Sequence, residues 1–182
     1  MSSNALGLQR GTVVLSEYTP EWHQLFEEEK VNLATVLGTS TLSIEHIGST
    51  AIPGIKAKPI LDLMVAIPRL DGWEQYIEAL GLLSYEFRRD FRHNQQHILF
   101  VKGPEKNRTH YLKLTELNSE FWKEHIIFRD YLITHPEKAQ EYQKLKEFLL
   151  AEHSGDRGPY TEGKKRFVQE TLRLAGYTGE FR

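Results

Sequence analysis

The segment at residues 58–67 most constrains how this chain can fold, because it is the most strand-like stretch of the sequence. Strand side chains alternate between two faces, so the segment divides into two groups. One face carries Leu61, Leu63, Val65 and Ile67, and the other carries Ile60, Asp62, Met64 and Ala66. A carboxylate among such apolar neighbours is costly if it is buried without partners. Asp62 must therefore face solvent, bind a cation or accept charged hydrogen bonds, and pairing with Lys58 is the simplest structural alternative.

A glycine turn lies just upstream of this strand. Residues 41–47 alternate well enough to predict a strand, which ends at Gly48-Ser49-Thr50. Such a turn can hold a phosphate, because glycine permits close approach while backbone amides and the two hydroxyls donate to phosphate oxygens. The alternative is an ordinary glycine turn in which Ser49 or Thr50 caps a short helix.

The two features together are more specific than either alone. Twelve residues separate Ser49 from Asp62, and this arrangement resembles the polymerase-beta-like nucleotidyltransferase superfamily. The resemblance implies a Gly-Ser turn that holds a triphosphate and a strand acid, here Asp62, that binds Mg²⁺ as its cofactor. The chain departs from the pattern at Met64, which stands where the superfamily has a second acid. Glu116 is the remaining candidate for the third acid, so the acid cluster is incomplete and argues against catalysis.

Several ordered motifs resemble the GrpB family and extend from about Val13 to Ala175. They are Tyr18-Thr19-Pro20-Glu21-Trp22, the run from His46 to Gly54, the run from Lys58 to Asp62, Arg108-Thr109-His110, the run from Phe128 to Leu132, and the run from Tyr160 to Lys164. The resemblance implies a nucleotidyltransferase-like fold with a helical C-terminal part. It also implies an accessory or folding-assistance role, since the family occurs fused to dephospho-CoA kinase, which is thereby a candidate protein partner.

Six further residues are candidates for the site, each with a structural alternative. His46 could act as a catalytic acid or base, and His110 could bind phosphate, although either could be a hydrogen-bonded structural histidine. Lys113 stands where the family often has a histidine, and a protonated lysine contacts phosphate but cannot hold a metal. Lys58 could bind phosphate or neutralise Asp62. Arg129 and Lys164 could add positive charge, although Arg129 could instead pair with Asp130.

Composition narrows the classes of function. The formal net charge is −2 and there are no cysteines, which argues against nucleic-acid or anionic-membrane binding and excludes thiolate chemistry. The N-terminus lacks the pattern of a signal peptide, and no apolar run reaches the length of a membrane helix. We therefore expect a cytoplasmic protein whose partner is a nucleotide or another phosphate-bearing small molecule.

The predicted fold is α+β in a single domain over residues 1–182. A nucleotidyltransferase-like mixed sheet with helices occupies about residues 12–116, and a helical part occupies about residues 117–176. The expected strands lie at residues 13–15, 41–47, 58–67, 96–102 and 108–115, the last two joined as a hairpin. We expect helices from Thr19 to Gly38, over residues 72–83, from an Asn118 cap onward, from Pro136 to Leu150, and over residues 161–175, with a loop at residues 155–159. The aromatic stripe of Phe121, Trp122, Phe128 and Tyr131 is expected to be core.

The predicted function is binding of a phosphate or nucleotide without efficient catalysis. Two alternatives remain open: an active Mg²⁺-dependent nucleotidyltransferase acting on a small acceptor, and an accessory module related to the one fused to dephospho-CoA kinase.

Overall fold

The structure, a computed structural model, describes residues 5–88, 96–153 and 156–179. Within these ranges the strands are β1 (Ser43–Ile47), β2 (Leu61–Ile67), β3 (Tyr85–Phe87), β4 (His97–Lys102) and β5 (His110–Glu116). The helices are α1 (Glu21–Leu37), α2 (Tyr76–Leu82), α3 (Glu120–Thr134), α4 (Pro136–Glu152), α5 (Arg157–Glu162) and α6 (Lys165–Leu174). The strands precede α3 to α6, so the predicted α+β class with a helical C-terminal part is confirmed.

The sheet is mixed, with the order β1-β2-β5-β4-β3. Only the pairing of β2 with β5 is parallel, and the other three neighbouring pairs are antiparallel. β2 is covered on both faces, as its continuous apolar sequence requires. Its first face packs with Trp22 and Phe26 of α1 and Leu80 of α2. Its second face packs through Met64 and Ala66 against Phe121 and Trp122 of α3, as part of a separate buried cluster.

The ends of the helices follow local sequence signals. Glu21 N donates to Thr19 Oγ1 at 3.3 Å at the start of α1, and Gly38 with φ of 60° ends that helix. The α3 cap is Ser119, which accepts a hydrogen bond from the Trp122 amide. The prediction of Asn118 as the cap was therefore wrong by one residue, since Asn118 instead adopts a φ of 61°.

Three further predictions of secondary structure were wrong. Residues 13–15 form no strand, because Val13 packs against Leu149 and Tyr160, and Ser16 alone bridges to Ala57 in that region. Residues 157–159 belong to α5 rather than to a loop, and α6 begins at Lys165 rather than at residue 161. The short strand β3 was not predicted. Gly155, which the predicted loop also included, lies outside the described residues.

The helical C-terminal part packs against the turn that follows β1. Ile52 and Ile55 lie in a buried cluster with Leu132 of α3, and with Ala139 and Tyr142 of α4. This contact brings α4, α5 and the start of α6 over the end of the sheet where β1 finishes and β2 begins. In the part of the chain that the structure describes, no helix combines the length and apolar character needed to cross a membrane.

Candidate functional site

A cavity of about 250 Å³ lies where the turn after β1 meets the helical part. Seven residues that the sequence analysis proposed for the site line this cavity: Gly48, Ser49, Thr50, Lys58, Asp62, Lys113 and Lys164. They come from the β1–β2 connection, β2, β5 and the α5–α6 junction. The fold therefore gathers residues that are as far as 116 positions apart in the sequence, from Gly48 to Lys164.

Gly48 and Asp62 are fitted to each other at the base of the cavity. Gly48 has a φ of 71°, and a Cβ built on it would lie 2.8 Å from Asp62 Oδ2. Both the backbone conformation and the close approach therefore require glycine. Asp62 pairs with Ile47 across the β1–β2 ladder, which explains why the turn immediately after Ile47 reaches its carboxylate.

Lys113 balances Asp62 from the neighbouring strand. Its Nζ lies 4.0 Å from Asp62 Oδ1, and the two side chains keep 21% and 28% of their surface exposed, so both can reach a ligand. Lys113 Nζ also donates to His125 Nε2 at 3.4 Å, while His125 Nδ1 donates to the Phe121 carbonyl at 2.8 Å. Burial lowers the pKa of His125 to about 3. A neutral His125 thus accepts a hydrogen bond from the Lys113 side chain and holds that side chain toward the cavity.

Lys58 and Lys164 lie beside the same aromatic ring. Their Nζ atoms lie 5.9 Å and 4.7 Å from the centroid of Tyr160, which is buried at the cavity wall. Burial lowers the pKa of Lys58 to about 8, Asp62 opposes that change, and Lys164, Arg157 and Lys113 add to it. Burial also lowers the pKa of Lys164 and of Lys113, again with Asp62 opposing and Arg157 adding. The cations repel one another, so an anion among them would be stabilised.

Three residues proposed for the site are not brought into the cavity, and His46 is the first. His46 packs on Phe26 with ring centroids 4.8 Å apart. Its Nε2 lies 2.9 Å from Thr50 Oγ1, which itself donates to the Ile60 carbonyl at 3.2 Å. Burial lowers the pKa of His46 to about 3, so it is neutral near pH 7. The histidine supports the turn from behind, and the geometry does not favour the catalytic role predicted for it.

His110 and Arg129 are the other two. His110 shares the strand face of the buried Leu112 and Leu114, opposite to Lys113, and its Nδ1 lies 2.8 Å from Thr109 Oγ1. Arg129 is committed to structural contacts, because it donates to Glu45 Oε2 and Asp130 Oδ1 at 2.7 Å each and to the His46 carbonyl at 2.9 Å. Its predicted alternative, an ion pair with Asp130, is one of these three contacts.

The residues around Asp62 do not fit a hard divalent cation such as Mg²⁺. Met64, which occupies the position of a second acid, is fully buried. Glu116 lies at the other end of the parallel β2–β5 ladder, opposite Ile67, and accepts from the Leu70 amide at 2.8 Å. Among residues 5–88, 96–153 and 156–179, no group of three or more His, Asp or Glu side chains could hold a metal ion. Lys113 Nζ, 4.0 Å from Asp62 Oδ1, occupies space beside this carboxylate where an oxygen ligand would be needed.

The helical part supplies cavity residues that the sequence analysis did not propose: Glu124, His125, Phe128, Tyr142, Tyr160 and Val168. Tyr142 hydrogen-bonds with Ser49, and burial raises its pKa to about 12. Phe121 and Trp122 are core as expected, whereas Phe128 of the same aromatic stripe lines the cavity. Tyr160 begins the motif that ends at Lys164, and this motif could have identified Tyr160 as a residue of the site. Helical periodicity alone gives no reason to single out Tyr142 or His125.

Comparison with known proteins gives consistent matches along most of the chain. A family model described as GrpB protein matches residues 12–174. The glutamate-rich protein GrpB of Alkalihalophilus pseudofirmus is 36% identical over 170 residues, which cover 92% of this chain and 98% of that protein. The protein YqkA of Bacillus subtilis is 34% identical over 152 residues, and the matched part of this chain spans only 44% of its length.

A solved structure supports the fold directly. The crystal structure of conserved protein GrpB from Enterococcus faecalis is similar with a TM-score of 0.79 and 31% sequence identity. The similarity covers 89% of this chain and 96% of that chain. The arrangement of strands and helices described above is therefore shared with an experimentally determined structure.

Proposed function

The chain belongs to the GrpB family, and we propose from the residues of the cavity that the protein binds a phosphate-bearing small molecule, with nucleotides included. The observation that carries this proposal is the convergence of Lys58, Lys113 and Lys164 on one cavity beside the Gly48 turn. Three cations from three separate segments meet there, in a chain whose formal net charge is −2. The local charge is thus opposite in sign to the charge of the whole protein.

A bound phosphate would offset the electrostatic repulsion among the three lysines. The lysine ammonium groups are partly desolvated and mutually repulsive, which lowers their pKa values. A bound phosphate offers several acceptor oxygens to such donors, and charge-assisted hydrogen bonds of this kind are shorter and stronger than neutral ones. The glycine turn adds room for an oxygen to approach the backbone.

Binding without metal-dependent transfer is the function that the geometry supports best. Asp62 lies beside Lys113, so its charge already has a cationic partner. The positions expected for a second and third acid are a buried methionine and a glutamate at the far end of the strand. The alternative of a Mg²⁺-dependent nucleotidyltransferase would require ligands that these positions do not provide.

The proposal is tested by calorimetric titration with orthophosphate and with AMP, in buffer containing EDTA. We expect saturable binding to the wild-type chain. Lys58→Gln and Lys164→Gln should each weaken it by roughly tenfold or more, since a hydrogen bond to a charged group contributes about 1.5–3 kcal/mol. Lys144→Gln, which removes one charge from an exposed position on α4, is the matched control and should change the affinity by less than about twofold.

Two results would overturn the proposal. One is the absence of saturable binding of either ligand to a folded wild-type protein. The other is binding that appears only when Mg²⁺ is added, because that outcome would return Asp62 to the role of a metal ligand.

A further inference from the structure

A fourth cation, Arg157, lies close to the three lysines although the sequence analysis placed it in a loop without a role. It begins α5, the short helix that also carries Tyr160 to the cavity wall. Its guanidinium carbon lies 5.4 Å from the centroid of the Tyr111 ring. Arg157 contributes to lowering the pKa of Lys58, Lys113 and Lys164, so it lies within electrostatic reach of all three.

The contact with Tyr111 shows on which side of the cavity this guanidinium lies. Tyr111 is the partner of Asp62 in the parallel β2–β5 register, and residues in register project from the same face of the sheet. Lys113, two residues further along β5, projects from that face as well. An arginine stacked over Tyr111 therefore lies at the edge of the Asp62–Lys113 pair. The planar guanidinium is suited to this position, since it stacks on an aromatic ring and still presents donors at its edge.

The cationic groups lie in two places, with three lysines on the cavity wall and one arginine beside it over Tyr111. Asp62 is the carboxylate that acts on all three lysines, and its Oδ1 lies 4.0 Å from Lys113 Nζ. Glu124 also lines the cavity, where its Oε1 accepts from Tyr177 Oη at 3.2 Å. A phosphate monoester carries about −1.5 to −2 at pH 7. A second phosphate adjacent to one held by the lysines carries further negative charge and can extend toward Arg157 over Tyr111.

We propose that the site prefers a ligand with two adjacent phosphate groups, and that Arg157 binds the second of them. This inference rests on the proposed function, because it assigns the first phosphate to Lys58, Lys113 and the Gly48 turn. Arg157 would act as a specificity-determining residue, since its fork of donors can make two parallel hydrogen bonds to one phosphate. Free pyrophosphate and a nucleoside diphosphate present the same chemical group, and separate titrations distinguish them.

The test compares orthophosphate, pyrophosphate, AMP and ADP by calorimetric titration in EDTA, with wild type and Arg157→Gln. For the wild type we expect each diphosphate ligand to bind roughly tenfold tighter than its single-phosphate counterpart, which corresponds to about 1.4 kcal/mol. Arg157→Gln should remove that difference while changing the affinity for orthophosphate and AMP by less than about threefold. Tighter binding of ADP than of pyrophosphate would identify a nucleotide as the source of the diphosphate group.

Arg69→Gln is the matched control, because Arg69 is an exposed arginine that follows the other end of β2 and pairs with Asp71. It should leave the preference intact, and near-equal melting temperatures of the variants would show that they are folded. Equal affinity of the wild type for one and two phosphates, or an unchanged preference in Arg157→Gln, would overturn the inference and leave phosphate binding itself standing. Failure of all four ligands to bind would instead overturn the proposed function.

Discussion

Gly48 is the residue on which the geometry of the site depends most. A side chain there would meet the Asp62 carboxylate at 2.8 Å, and its φ of 71° is one that other residues adopt only with strain. Both residues could be predicted from local signals, a glycine turn and an acid in an apolar strand. Their contact could not be predicted, since it depends on the β1–β2 register.

We predict that Gly48→Ala destabilises the fold more than Gly54→Ala does. Both glycines have a similar positive φ, but a Cβ at Gly54 would meet nothing within 4 Å, whereas one at Gly48 would collide with Asp62. The strained φ costs about 1–2 kcal/mol in either variant, and the contact with Asp62 should add at least about 1 kcal/mol for Gly48→Ala. Urea unfolding of both variants measures the difference. Equal losses of stability would show that the approach to Asp62 imposes no constraint.

At the scale of elements, β2 and the β4–β5 hairpin could be predicted because their patterns are local. β2 alternates between two apolar faces, and residues 103–107 contain turn-forming residues between two strand-like runs. β3 could not be predicted because it has only three residues and depends on pairing with β4. The strand predicted at residues 13–15 was wrong because no strand among the described residues pairs with them, and Val13 is buried against Leu149 of α4 and Tyr160 of α5 instead.

Strand face and long-range contacts determine which of the proposed site residues reach the cavity. His110 has the same parity as Leu112 and Leu114, which already indicated the apolar face of β5. Arg129 stands next to Asp130 on α3, and its remaining donors reach Glu45 on β1, a contact that no local pattern reveals. Conversely, Lys58, Lys113 and Lys164 were proposed one by one, and only the packing of α4 and α5 over the sheet shows that they share a cavity.

Buried histidines, beginning with His46 at the end of β1, make the stability of the fold depend on acid pH. Burial lowers the pKa of His46 to about 3, below its ordinary value of 6.5. Between these two values the unfolded chain binds the proton more readily than the folded chain. The contribution of neutral His46 to stability is therefore fully present above about pH 6.5 and is lost as the pH falls toward 3. His110 and His125, whose pKa values burial lowers to about 4 and about 3, contribute with the same sign.

We predict that His46→Gln makes this acid dependence shallower. Glutamine can still donate to Thr50 Oγ1 but does not titrate, so unfolding of the variant should take up one proton fewer. The slope of the free energy of unfolding against pH should fall by up to about 1.4 kcal/mol per pH unit. Urea unfolding at several pH values between 4 and 7 measures the slope. An identical slope in wild type and variant would mean that His46 takes up its proton as easily in the folded chain as in the unfolded one.

For the whole molecule, the cavity exists because two parts of the chain are packed together. The sheet part provides the Gly48 turn, Asp62 and Lys113, and the helical part provides Tyr142, Tyr160 and Lys164. The sequence indicated the two parts and their order, since composition changes from strand-like to helical near residue 117. It could not show that the second part completes the site, because the contacts of Ile52 and Ile55 with α3 and α4 are made over long sequence separations.

The most direct test of the central claim is a crystal structure of the protein grown with AMP in the presence of EDTA. We predict that the phosphate lies in the cavity, with its oxygens about 2.7–2.9 Å from the ammonium nitrogens of Lys58 and Lys113 and in contact with the Gly48 turn. A phosphate bound elsewhere on the protein, or a cavity left without phosphate at saturating AMP, would contradict the account.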